Sequence, residues 1–406
     1  MEIDQVLILG RAGPRSLCSK GRVPMPLFYD ARIRAYLYQV IAVGVVLLVA
    51  WVMFSTASAN LAKQDIATGF GFLARQAGFV ITESAITYEP TDTIGRAILV
   101  GIANTVKVSL LAALFGTVLG LLVGIGRLSH NPVLSRLMLA YVEALRNVPL
   151  LLYLLLWYSL IISVFPPVKQ AIEMLPGVFL SNSGLVTPAL HWQSGLASLV
   201  TAFIIGVAAA FATARVLGRR RIATGKERPI ALFAAIAFLL PLMATVLFAD
   251  ISVTWDVPEL GRFRLSGGYH LRPEFVALLL GLTLSVSANV AEIVRAGIQA
   301  VSKGQWEAAT ALGLSRARTL KLVILPQALR IIIPPLTNTY LTVFKNSSLA
   351  IAIGYPDLVM VSNTIMNQTG QAIEAIAIFM GVYLGLSILI SLVMNWYNAR
   401  VALRER

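Results

Sequence analysis

Residues 301–326 read VSKGQWEAATALGLSRARTLKLVILP, a polar and charged stretch held between two long apolar runs. Ser302 followed three residues later by Gln305 has the pattern of a capping box, so a helix is expected to start there. Trp306, Ala309 and Leu312, at spacings of three, form its expected apolar face. Gly313 supplies a left-handed stop. Ser315 is then expected to cap a second short helix running to about Val323, and Pro326 to break it. The expected product is a helix-turn-helix. Ala308 and Ala309 keep one side slim enough to enter another protein's cleft, and Glu307 places a charge on the helix that would dock there. Tethered a few residues from a span on either side, the hairpin is badly placed to read DNA. The residues leave two readings open: a coupling element on which a soluble motor pushes, and an ordinary amphipathic connector.

The runs on either side belong to a strongly apolar chain. Of 406 residues, 57% are apolar and only 13% charged, with a mean hydropathy of +0.79. A water-soluble domain of this size could not cover itself with so few polar side chains. Apolar runs near the roughly 20 residues that cross a bilayer fall at 38–54, 98–125, 148–165, 195–216, 230–248, 275–294, 331–353 and 375–396. The expected fold class is all-α, a polytopic transmembrane helical bundle of about eight spans. Within it, Lys107 is expected to snorkel to the interface. Glu143 and Arg146, three apart, mark a cytoplasmic helix leading into the third span. Residues 55–95 and 354–374 read as exposed loops.

The formal charge of +14 does not point to nucleic acid, because the basic residues flank spans. Arg11, Arg15, Lys20, Arg22, Arg32 and Arg34 precede the first, Arg219 to Arg221 lie between two others, and Arg400, Arg404 and Arg406 end the chain. By the positive-inside rule both termini are expected in the cytoplasm. Arg262, Arg264 and Arg272 in the loop 250–272 run mildly against this. The single cysteine, Cys18, excludes an internal disulfide. His130, His191 and His270 are isolated, so no metal is expected. No glycine-rich loop ends in Lys-Ser or Lys-Thr, so no nucleotide site is expected in this chain, and no catalytic residue is proposed.

Glu307-Ala308-Ala309, Gly313 four residues on, and Val323-x-Leu325-Pro326 together resemble the "EAA" coupling loop of permease subunits of bacterial ATP-binding-cassette importers. The segments 289–299 and 303–309 resemble the polar amino-acid branch, with Arg295-Ala296-Gly297 where Arg-Gly-Gly is usual. Leu325-Pro326-Gln327, Pro334-Pro335-Leu336-Thr337-Asn338 and Lys345-Asn346-Ser347 extend the resemblance. Gly101-x-x-Asn104-Thr105 and Arg146-Asn147-Val148-Pro149-Leu150 supply an upstream half. An N-terminal extension and an insertion make the layout similar to the large permeases of general L-amino-acid importers. The resemblance implies a MetI-like, non-catalytic subunit of the bacterial inner membrane, moving L-amino acids from periplasm to cytoplasm. It also implies a second permease subunit, two cytoplasmic ATPase subunits that bind the ATP and magnesium, and a periplasmic amino-acid-binding protein. The alternative class is a stand-alone ion-coupled carrier or channel for small polar solutes.

On this basis the chain divides into an N-terminal arm (1–35), the first span and a periplasmic loop (36–96), a first core part (97–165), an insertion with two extra spans (166–272), a second core part (273–398) that includes the coupling loop 301–326, and a tail (399–406). The coupling-loop candidates are Glu307, Ala308, Ala309, Gly313, Leu325 and Pro326. Polar side chains avoid lipid, so Thr283, Ser285, Asn289 and Glu292 in the sixth span, with Asn338, Thr342, Lys345 and Asn346 in the seventh, are candidates to line a translocation path. Glu292 has Arg295 at i+3 as its expected partner. Gly116, Gly120 and Gly124 repeat every four residues and are expected to let helices approach closely.

Overall fold

A ladder of glycines shapes the centre of the protein. The computed structural model describes residues 31–63, 69–224, 229–249, 252–261 and 265–401. In it, helix α2 (Ile94–Arg127) lies along α7 (Pro273–Gln299). A Cβ on Gly116 would stand 2.6 Å from Val286 Cβ, one on Gly120 2.6 Å from Val290 Cβ, and one on Gly124 2.9 Å from the Ala291 carbonyl. Gly120→Val is therefore expected to force the helices apart at a cost of about 1–3 kcal/mol. The partner change Val290→Ala should recover part of that loss, and a double-mutant cycle of thermal unfolding measures the coupling.

Around this pair the remaining core helices assemble. Leu154 of α4 (Leu150–Val164) is fully buried and occupies the space beside Gly281. On another side α7 meets α10 (Leu325–Asn346), which in turn packs on α12 (Ala372–Val401). The shared interior contains Val108, Leu278, Leu282, Val286 and Tyr355. Among the described residues, seven helices are long and apolar enough to cross a membrane. The pair α3 (Pro132–Arg146) and α4, bent by 100°, makes an eighth if the two are counted as one broken span. The expected bundle of about eight spans is thus present. The bend follows from Asn147-Val148-Pro149: α3 ends on Asn147, and Pro149, at the start of α4, has no N–H to continue the ladder.

By packing, the chain separates into two compact units, Met1–Thr68 and Gly69–Arg406. In the first, α1 (Ala31–Lys63) carries the span Tyr36–Thr56. Residues 1–30 of the expected N-terminal arm, with Cys18, and the tail beyond residue 401 lie outside the described residues, as do Arg262 and Arg264, while 31–35 belong to α1.

The segment 166–272, expected from the sequence to be an insertion, contains two helices long and apolar enough to span, α5 (Leu196–Thr224) and α6 (Ile230–Phe248), paired through Gly206 against Phe238 and an edge-on Phe203–Phe238 contact of 5.6 Å. It also contains strands that were not expected. β1 (Ile172–Leu175), β2 (Val178–Ser181), β3 (Gly184–Thr187) and β8 (Tyr269–Leu271) form one antiparallel sheet. β4 (Ala189–Ser194) pairs with β5 (Ser252–Asp256), and β6 (Glu259–Leu260) with β7 (Leu265–Ser266). Phe179, Val186 and Leu265 are buried together beneath them. Strands this short carry too few residues for an alternating pattern to stand out. The β3–β8 pairing sets Leu185 opposite Leu271, which closes the insertion at the foot of α7.

Candidate functional site: the hairpin, the polar pocket and their anchors

The hairpin starts where expected, with α8 (Lys303–Ala311) following Ser302. The capping box itself does not form. Ser302 makes no side-chain bond to the helix, and the Gln305 side-chain oxygen instead accepts from Gln327 Nε2 at 3.1 Å, which ties α8 to α10. Gly313 has φ +71°. The Gly313 N–H donates to the Thr310 carbonyl at 2.9 Å and the Leu314 N–H to the Ala309 carbonyl at 3.1 Å, the Schellman closure that a left-handed glycine permits. Ala309 is buried and Trp306 joins the cluster of Val301, Ile324, Ala328 and Ile332. Leu312 does not share that face. It is 80% exposed, because at the helix end it swings away from the stripe. Glu307 and Ala308 are exposed too.

Ser315 precedes a helix of only four residues, α9 (Arg316–Thr319), and makes no side-chain cap. Pro326 does not break the chain there, contrary to expectation. A π-helical turn over Leu320–Ile324, in which the Leu325 N–H donates to the Leu320 carbonyl, leads straight into α10. The wider turn re-registers the ladder, so the missing proline N–H falls in the first turn of α10, where it is tolerated. The second limb of the hairpin is therefore helically continuous with a span, Arg316–Ile353.

Above the hairpin, Ser285 and Asn289 of α7 meet Asn338, Thr342 and Asn346 of α10 around a pocket of about 230 Å³, closed by Leu282, Val286, Thr339 and Val343. The side chains are partly committed to their own helices. Asn289 Nδ2 donates to the Ser285 carbonyl at 2.9 Å and Thr342 Oγ1 to the Asn338 carbonyl at 2.8 Å. Thr283 is not brought into this pocket: its hydroxyl is buried without a partner, and its carbonyl faces Gly116. Lys345 is exposed and also outside it.

Glu292 lies a turn further along α7 in a different setting. It is held by Arg295, its expected partner, and by Arg127 at the end of α2, and Arg146 Nη1 approaches to 4.0 Å. A cleft of about 330 Å³ opens beside them, lined by Arg127, Val142, Glu143, Arg146, Asn147 and Glu292. One carboxylate thus binds three structural elements: the end of α2, the α3–α4 bend and α7. Arg127 and Arg146 were not legible as its partners, since they lie far from it in sequence.

At the other end of α2, Lys107 does not snorkel. Its ammonium donates to Glu83 Oε1 at 2.9 Å and Tyr269 Oη at 2.8 Å, and sits 4.4 Å from the Phe275 ring centroid. Burial pushes the Glu83 carboxyl up despite that partner. The neighbouring Gly101-x-x-Asn104-Thr105 motif latches two distant segments. Asn104 Nδ2 donates to the Glu83 and Pro356 carbonyls, both at 2.8 Å, and its Oδ1 accepts from the Ala85 N–H at 2.9 Å. Thr105 Oγ1 accepts from the Leu358 N–H at 3.1 Å. Gly101 lets that segment in, since a Cβ there would stand 2.9 Å from Leu358 Cα.

The latch holds α11 (Leu358–Thr369), a helix in what reads as a loop, capped by fully buried Asp357 through the Met360 N–H at 2.8 Å. Burial pushes the Asp357 carboxyl up to about 7, against bonds from Met360, Val359 and Tyr383 that favour the anion. The folded value exceeds the roughly 3.9 of an unfolded chain, so the folded state holds the proton more tightly. Stability from this group is full below about pH 4 and is lost as pH rises through about 7. Asp357→Asn keeps the capping oxygen. It is expected to flatten the decline in thermal stability between about pH 5 and about pH 8, as read by unfolding in detergent at the two values.

Polar side chains gathered around one pocket between two helices of a membrane bundle, with a hairpin fixed between the helices that bear them, define a solute-permease class of protein. Residues 228–404 match the family described as binding-protein-dependent transport system inner membrane component. Over 380 residues the chain is 44% identical to the general L-amino acid transport system permease protein AapQ of Rhizobium johnstonii, covering 93% of this chain and 94% of that one. It is 46% identical over 382 residues to the putative amino-acid ABC transporter permease protein YhdX of Escherichia coli, covering 93% and 97%. To the glutamate/glutamine/aspartate/asparagine transport system permease protein BztB of Rhodobacter capsulatus it is 36% identical over 412 residues, covering 94% and 96%. Two solved transporters also align: an amino acid ABC transporter crystallised with histidines (TM-score 0.45, 22% identity, 75% of this chain and 94% of that one) and the inward-facing MetNI methionine ABC transporter (TM-score 0.42, 16% identity, 78% of this chain and all of that one).

The chain belongs to the inner-membrane permease subunits of ATP-binding-cassette amino-acid importers. It is a multi-pass, non-catalytic part of a multi-subunit import system, which decides against a carrier working alone. Among the described residues, no three His, Cys, Asp or Glu side chains gather as a metal site.

Proposed function

We propose that this subunit carries L-amino acids of broad side-chain type from periplasm to cytoplasm through the pocket of Ser285, Asn289, Asn338, Thr342 and Asn346, driven through the hairpin. Its partners in this reading are a second permease subunit, two cytoplasmic ATPase subunits that bind ATP and magnesium, and a periplasmic amino-acid-binding protein. Both termini lie in the cytoplasm. The observation that carries the reading is connectivity: α7 runs into α8, and α9 runs through the π turn into α10, so the hairpin joins the two helices that line the pocket. Glu307, Ala308 and exposed Leu312 present the docking side. A motor that grips there tilts both helices as rigid bodies. Amides and hydroxyls line the pocket without a carboxylate or ammonium, so the lining can donate to a carboxylate or accept from an ammonium, whichever the cargo presents.

The test is uptake of labelled amino acid by the assembled importer. Asn289→Leu and Asn338→Leu each remove an amide partner worth about 1–3 kcal/mol to a desolvated polar group. Each should raise KM at least fivefold, with the assembly intact by size-exclusion chromatography. An unchanged KM in both variants would place the path elsewhere.

A further inference from the structure

We propose that the cleft behind the hairpin binds the headgroup and upper acyl chain of an anionic phospholipid from the cytoplasmic leaflet. The cleft, of about 640 Å³, lies between the last turn of α2, the following turn, the end of α7 and the hairpin. Its walls are mostly apolar, with Ile125, Leu134, Ile298 and Leu320 among them. Its charged and titratable groups are His130, Lys303 and Arg316, and no carboxylate lines it. Arg316 Nη1 donates to His130 Nε2 at 2.8 Å, which leaves the other guanidinium donors available. Lys303 is exposed and makes no ion pair among the described residues.

Depth selects the occupant. Ile125 lies two residues before the end of the apolar helix Ile94–Arg127, and the proposal places the cleft's apolar floor where that helix leaves the hydrocarbon, with the cations at its rim. An apolar floor under a cationic rim at that level complements a lipid phosphate with its chain attached; a soluble anion would leave the floor unfilled. A lipid seated there touches α2, α7 and both limbs of the hairpin, and so steadies the hairpin against the bundle.

The inference rests on the cytoplasmic placement of the hairpin, which is tested separately. Thr310→Cys in intact cells should stay unlabelled by an impermeant maleimide until the membrane is opened; labelling from outside would overturn the placement itself. The lipid is tested by native mass spectrometry of the assembled importer titrated with phosphatidylglycerol or phosphatidylcholine. Each basic side chain near an anionic surface contributes about 1 kcal/mol, or roughly fivefold. Lys303→Gln with Arg316→Gln should therefore weaken retention of phosphatidylglycerol by roughly 25-fold, while Arg219→Gln with Arg220→Gln, outside the cleft, should not. Equal retention of both lipids, equal retention by the cleft variant, displacement by inorganic phosphate, or protection of Ser129→Cys by the ATPase without lipid would each overturn the proposal.

Discussion

Gly313→Val is expected to abolish uptake while leaving the protein inserted and folded. The obstacle is not space, since nothing lies within 4 Å of where the Cβ would stand. It is the backbone: φ at Gly313 is +71°, a region in which a β-branched residue is a true outlier. The left-handed penalty is about 1–2 kcal/mol per residue. That is small against the burial holding a bundle of this size together, but large for a two-bond Schellman closure on an exposed tip. The closure gives way first, and the hairpin loses its fixed angle. A graded series separates this cause from simple bulk. Asn, which tolerates the left-handed region, should retain most transport, Ala should be intermediate and Val inactive, with equal amounts of each in the membrane. Normal uptake by the Val variant would remove the hairpin from the coupling path.

Asn104→Leu should have the largest effect on stability. The substitution keeps the branching of the side chain, with bulkier methyls, but deserts the Ala85 N–H and the Glu83 and Pro356 carbonyls at a site with no exposed surface. Each deserted buried group costs about 1–3 kcal/mol, and three sharing one site sum to on the order of 3–6 kcal/mol. The unfolding midpoint in detergent should fall by on the order of 5–10 °C. Asn104→Asp keeps the acceptor for Ala85 but loses both donated bonds, so it should lie between. A midpoint within about a degree of wild type for the Leu variant would mean that the amide is not what holds residues 83–85 and 356–358 to α2.

Apolar run length and lysine and arginine placement are local properties, and they determined the spans. Span 230–248 coincides with α6, and 38–54, 98–125, 275–294 and 375–396 fall within α1, α2, α7 and α12, while 148–165, 195–216 and 331–353 run past the ends of α4, α5 and α10. Gly313 was legible for the same reason, because a left-handed stop is a property of one residue and its neighbours. The stripe spacing of Ser285 and Asn289, and of Asn338, Thr342 and Asn346, was visible in the two spans taken singly. That the two stripes face each other is decided by how α7 packs on α10, as is the exclusion of Thr283 and Lys345.

Where a partner is distant in sequence, local pattern had nothing to report. Lys107 reads as a snorkelling side chain until Glu83 and Tyr269 are brought to it, and Glu292 shows only Arg295 until α2 and the α3–α4 bend deliver Arg127 and Arg146. Pro326 reads as a break because its effect depends on the ladder around it, and a π turn relocates the missing donor. The amino-acid sequence by itself determined which segments cross the membrane and where the hairpin turns, since both follow from burial cost and backbone preference within a few residues. Tertiary structure alone decided which charges are paired and which polar faces meet, because a buried charge or amide settles where the fold supplies its partner.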